Sequence, residues 1–173
     1  GHVLRGRFRA VRSQVAYKLY SLLEQRADAP IGTRETLFGD DAEADAFVYS
    51  LYADLLAGRV SENELEDVLR PLGAYREQID KIFESLESVV HEDPVRRIIV
   101  HLYRRTPPAA FAAFFPRVVP ITNHLQTAWV LYLDGSVPLD CVRRVTRELL
   151  DLYDYAPDEL LRLTEDILRR QRS

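Results

Sequence analysis

Hydrophobic and polar residues alternate over Val3-Leu4-Arg5-Gly6-Arg7-Phe8-Arg9, a period of two that predicts a strand or an extended lead-in. From about Ser13 the spacing changes to three and four. Val15, Leu19, Leu22 and Leu23 share one face of a helix running to about Gln25, and Asp28, Pro30 and Gly32 break it. A short apolar run over 34–39, ending at Gly39, predicts a buried strand, and Ala44 to Ala57 an apolar-striped helix closed by Gly58.

Beyond Gly58 the pattern is helical and more polar. Ser61-Glu62-Asn63-Glu64 has the form of a capping box, in which the serine and the glutamate each satisfy a backbone amide of the other's residue. Ile79, Ile82, Phe83, Leu86, Val89 and Val90 define the apolar side of a helix from about Ala74 to Val90, ended by Asp93-Pro94. Val95 to Tyr103, with Ile98-Ile99-Val100 at its centre, predicts a second buried strand. A short helix follows near Pro108, then a weaker third strand over 117–121. Asn123 to Leu133 is an apolar helix stopped by Asp134-Gly135, and two further helices are expected near 138–152 and 157–170. Strands separated by helices imply parallel pairing, because parallel neighbours need crossover connections. The fold class expected is therefore α/β, with a small parallel Rossmann-like sheet, a helical insertion over 59–94 and a helical C-terminal extension over 136–173.

Composition narrows the function classes. The 173 residues suffice for one domain with a proper core, and 47% hydrophobic with 29% charged residues is the balance of a globular protein. A net charge of −4 argues against general affinity for nucleic acid or anionic membranes, both polyanions. The single cysteine, Cys141, excludes an internal disulfide and fits a reducing, cytoplasmic compartment. No apolar run reaches the length of a membrane span. The chain starts at Gly1 and contains no methionine, which points to a piece of a longer protein. Of 23 basic residues only Lys18 and Lys81 are not arginine. An ammonium is a compact point charge that guanidinium does not mimic, so a retained lysine marks candidate chemistry. Lys81, in a charged helix, is the control on that argument.

The densest chemistry lies in Thr36-Leu37-Phe38-Gly39-Asp40-Asp41-Ala42-Glu43-Ala44-Asp45. A buried strand that stops on Gly-Asp delivers carboxylates to the C-terminal rim of the sheet, where open α/β sheets bind ligands. Asp40, Asp41 and Asp45 supply hard oxygen donors suited to Mg²⁺, and the chemistry suggested is metal-assisted phosphoryl transfer. The alternative is that Asp40 or Asp41 caps the next helix and the others form its acidic first turn.

Lys18 on a helix, then Leu37-Phe38-Gly39-Asp40, Asp45 and Tyr49 in order, resembles the third and fourth motifs of the haloacid dehalogenase superfamily. The branch it is most similar to holds the phosphatidate phosphatases of the actin-patch type and their bacterial relatives. The resemblance covers roughly residues 3–58 and 95–135, so that 1–135 would be the C-terminal part of such a domain, interrupted by the insertion at 59–94. It implies that Asp40 holds Mg²⁺, that Asp45 supports the metal site or the lysine, and that Lys18 neutralises the nucleophile and the transferring phosphoryl group. Asp41 joins the metal candidates on the carboxylate clustering alone, since relatives often carry a small polar residue there.

The family's nucleophile belongs to an Asp-x-Asp motif before the lysine. Only 17 residues precede Lys18, and none is acidic. Tyr132-Leu133-Asp134-Gly135-Ser136 lacks the first aspartate and reads as a helix end. The expectation is thus half an active site, acting on a phosphorylated substrate of unspecified type. The alternative is a non-catalytic module that binds a protein partner through its helical segments.

Other constellations are weaker. Cys141 and Arg147 have the spacing of cysteine phosphatases, but the intervening residues contain no glycine and follow helical periodicity. His91, His101 and His124 have no metal-ligand spacing, and His101 reads as a core histidine. Tyr17, Tyr20, Tyr49, Tyr52 and Trp129 read as packing residues, and the Arg5, Arg7, Arg9, Arg12 cluster as a solvated edge.

Overall fold

In a computed structural model, the chain is described over residues 2–42 and 44–172, with side chains from Gln14 onward. Three parallel strands, β1 (Glu35–Asp40), β2 (Val95–His101) and β3 (Val118–Ile121), form a sheet in the order β1-β2-β3. Among the described residues seven α-helices surround it: α1 (His2–Ala27), α2 (Asp45–Leu56), α3 (Glu62–Leu69), α4 (Arg76–Glu87), α5 (His124–Leu133), α6 (Leu139–Leu152) and α7 (Pro157–Arg170). A 3-10 helix (Pro108–Phe114) lies between β2 and β3. The protein is an α/β structure.

Side chains alternate across the sheet, as the pleat requires. Leu37, Ile98, Val100 and Val118 face a core built with α1, α2, α3 and α4. Ile99, Val119 and Ile121 face the other way, onto Val130 of α5 and Ile167 of α7. The second helical layer stops short of β1. Phe38, the register partner of Ile99, is 56% exposed. Farther from the sheet, Leu125 and Ala128 of α5, Val142 and Leu149 of α6 and Leu160 of α7 form their own cluster. Arg170 Nη1 donates to Pro120 O at 2.6 Å and ties α7 to β3.

The interval 59–94, expected as an insertion, holds α3 and α4, and β1 pairs directly with β2, so no strand from that interval enters between them. The Ser61 box forms: Glu64 N donates to Ser61 Oγ at 3.4 Å and Ser61 N to Glu64 Oε2 at 2.9 Å. One expectation is corrected. Residues 3–9 are not a strand or an extended lead-in but part of α1, which begins at His2. Seven alternating residues cover only two helical turns, too short a window to separate a period of 2 from one of 3.6. The side chains of Arg5, Arg7, Arg9 and Arg12 lie outside the described residues.

The N-terminal end of β1 is held by a buried charge network. Arg26, 5% exposed, donates to Glu35 Oε1 at 2.8 Å and to Thr33 O at 2.9 Å, and it also pairs with Glu92. Tyr52 donates to Glu35 Oε2 at 3.0 Å. Burial and the adjacent Glu35 carboxylate push the Tyr52 phenol well above its ordinary pKa. Among the described residues, no helix is long and apolar enough to cross a membrane.

Candidate functional site at the C-terminal rim of the sheet

The first turn of α2 presses against the last residues of β1. A Cβ on Gly39 would lie 2.5 Å from both Cβ and Oδ2 of Asp45, so only glycine permits this approach. The Gly-Asp pair thus serves close packing as well as strand termination. Asp45 is 6% exposed and its two carboxylate oxygens do different work. Oδ1 accepts from Lys18 Nζ at 2.6 Å, and Oδ2 accepts the Asp40 N–H at 3.0 Å. Lys18 on α1, Asp45 on α2 and the C-terminal end of β1 therefore meet at one point. One turn farther along α2, Tyr49 donates its hydroxyl to Phe38 O at 3.1 Å.

Asp40 turns its Oδ1 back onto the Ala42 N–H at 2.7 Å, a local turn typical of aspartate. Ala44 is the N-cap position of α2, and its side chain makes no capping bond. Asp41 is directed elsewhere. Its Oδ1 accepts from Arg104 N at 2.7 Å and its Oδ2 from Thr106 N at 3.0 Å, while Asp41 N donates to His101 O at 3.1 Å. Partial burial works to raise the Asp41 pKa. The amide bonds from Arg104 and Thr106 outweigh it and hold the carboxyl below its ordinary value.

Asp41 is therefore the clasp between the loop after β1 and the loop after β2, with one backbone amide on each carboxylate oxygen. No three His, Cys, Asp or Glu side chains among the described residues converge as a metal-holding group. Mg²⁺ commonly takes one or two carboxylates and completes its shell with water and substrate phosphate. Asp40, at the open end of β1, fits that chemistry; Asp45, engaged by Lys18 and by the Asp40 amide, fits a positioning role.

The other sequence candidates separate from this point. Cys141 and Arg147 both lie on α6, in regular helix. Lys81 lines a shallow groove of about 220 Å³ with Tyr17 and Tyr20, between α1 and α4. Trp129 packs in the α5 clusters and donates Nε1–H to Thr164 Oγ1 at 3.2 Å. His101 is not a fully buried core residue. It stands half-buried at the end of β2, stacked on His124 with ring centroids 6.0 Å apart. Sequence reasoning did not single out Tyr103-Arg104-Arg105, the loop that Asp41 clasps. Its position directly after a parallel strand was the available signal. Comparison with protein-family models, with curated proteins and with solved structures gives no match.

Proposed function

We propose that this chain supplies the electrostatic half of a Mg²⁺-dependent phosphoryl-transfer site on a Rossmann-like sheet, of the kind found in haloacid dehalogenase-like phosphatases. The observation that carries the reading is the 2.6 Å bond from Lys18 to an Asp45 carboxylate that also receives the Asp40 amide, at the C-terminal end of a parallel strand. A lysine held this way is a preorganised cation. It needs no reorganisation when a phosphoryl group arrives, and preorganised charge is what phosphoryl transfer chiefly demands. Asp45 orients Lys18, Gly39 gives Asp45 its room, and Asp40 is the carboxylate that would hold the metal. Mg²⁺, when bound, would neutralise phosphoryl oxygens. The attacking group is supplied by none of these residues, and phosphoryl transfer requires one within reach.

The test is Mg²⁺-dependent binding of inorganic phosphate, measured calorimetrically on the chain and on Asp40→Asn. Binding should require Mg²⁺ and weaken at least tenfold in the variant, since one charge-assisted ligand is lost. Equal binding by both proteins, or none by either, would replace this reading with the second one, a non-catalytic module that binds a protein partner. One observation favours that second reading: Leu152, Tyr153 and Leu161, on α6, at its end and on α7, are between 57% and 72% exposed.

A further inference from the structure

Resting on the phosphoryl-site reading above, we infer that the loop after β2 is a second anion-binding arm of the same rim, in which Arg104 and Arg105 take a second phosphoryl group of the ligand. The ligand class is then a compound with two phosphoryl groups, not a simple monoester. Three independent features of the loop converge on this assignment.

The first is that the loop is fixed rather than loose. Asp41 accepts both Arg104 N and Thr106 N, Tyr103 N donates to His101 O at 2.9 Å, and Arg105 N to Leu102 O at 3.1 Å. Four backbone amides in succession are satisfied, so the arginines project from a rigid frame. Rigidity of this kind lowers the ordering cost of binding.

Arg105 also has φ of +59°, a left-handed conformation that costs a non-glycine residue roughly 1 kcal/mol. Residues held in this region cluster at ligand-binding sites, where the surrounding structure over-determines them.

Charge supplies the third feature. Both arginines are exposed, and among the described residues neither guanidinium has an ion pair, although Arg26, Arg59, Arg97, Arg117 and Arg170 all do. The nearest carboxylate in the loop's own bonding, Asp41, is occupied by backbone N–H groups. In a chain of net charge −4, two guanidinium groups without an ion pair among the described residues are therefore carried by the loop that follows His101, the register partner of Asp40. Guanidinium matches phosphate oxygens two at a time, which a lysine cannot do.

The experiment compares inorganic pyrophosphate with inorganic phosphate, both with Mg²⁺, on the ¹⁵N-labelled chain and on an Arg104→Gln/Arg105→Gln variant. Amides of 40–42 and of 103–106 are followed separately. In the parent chain, pyrophosphate should bind about tenfold tighter than phosphate and shift both groups of amides. In the variant that ratio should fall to about one. A ratio that stays high in the variant overturns the arm, and so does a ratio near one in the parent or pyrophosphate binding to neither protein. If the ratio behaves as expected but the shifts spare residues 40–42, the arm stands and the phosphoryl-site reading falls.

Discussion

A methyl group at position 39 would meet Asp45 at 2.5 Å, and two consequences can be measured. Gly39→Ala should destabilise the fold by about 2 kcal/mol, the scale of forced overpacking, in urea unfolding. A change below about 0.5 kcal/mol, the scale of an unremarkable surface substitution, would mean that α2 shifts freely and that Gly39 is not what sets the Asp45 position. The Lys18–Asp45 pair, 27% and 8% exposed at its side chains, is asymmetric. Lys18→Met leaves a buried carboxylate without its cation and should cost about 3 kcal/mol, whereas Lys18→Met/Asp45→Asn should cost less than the sum of the two single changes. Additive costs would show that the pair is not coupled. Asp41 makes a prediction about acid. Its pKa is lower folded than unfolded, so its contribution is full above the unfolded value of about 4 and is lost as pH falls through the folded value. Hydrogen exchange of the Arg104 and Thr106 amides should therefore keep constant protection from pH 7 to about pH 4 and lose it only below. Loss of protection near pH 6 would show that a group other than Asp41 holds the loop.

At the level of elements, the sequence spoke clearly where one period dominates. β2 carries Ile98-Ile99-Val100 because both of its faces are covered, and the Ser61 box forms because its partners lie three residues apart. What sequence could not carry were pairings over distance. Arg26 meets Glu92 across 66 positions and Asp41 meets Thr106 across 65, with no local pattern to announce either. Hence the sequence offers Asp41 as a metal candidate beside Asp40 and gives no sign that its carboxylate also accepts two amides of the loop after β2. That Lys18, Asp40 and Asp45 meet was legible because strand, turn and helix geometry are local to Asp40 and Asp45, and because lysine is rare in this chain. Ser61→Ala tests the local side of that contrast: it should cost about 1 kcal/mol in urea unfolding, the usual value of a lost N-cap. No measurable cost would mean that Glu64 alone holds the start of α3.

For the whole molecule, the two helical layers divide the labour. The α1–α4 layer builds the rim that holds Lys18 and Asp45, and the α5–α7 layer covers β2 and β3 only. On the proposed reading the chain brings stabilising charge but no attacking group, and should not turn over substrate. With Mg²⁺ the chain should release no measurable p-nitrophenol from p-nitrophenyl phosphate, and turnover abolished by Asp40→Asn would mean that a nucleophile lies within these 173 residues after all.

The bond from Tyr49 to the Phe38 carbonyl bears on solubility as well as on architecture. β1 is a border strand beside an exposed phenylalanine, the arrangement through which sheets of different molecules zip together. Tyr49 and Asp45 take up a carbonyl and an amide on that border, so a passing chain finds fewer backbone groups to pair with. Tyr49→Phe reopens the carbonyl while keeping the ring, and its colloidal behaviour should worsen before its stability does. Sedimentation of the variant should show concentration-dependent self-association at concentrations where the parent chain gives a single species.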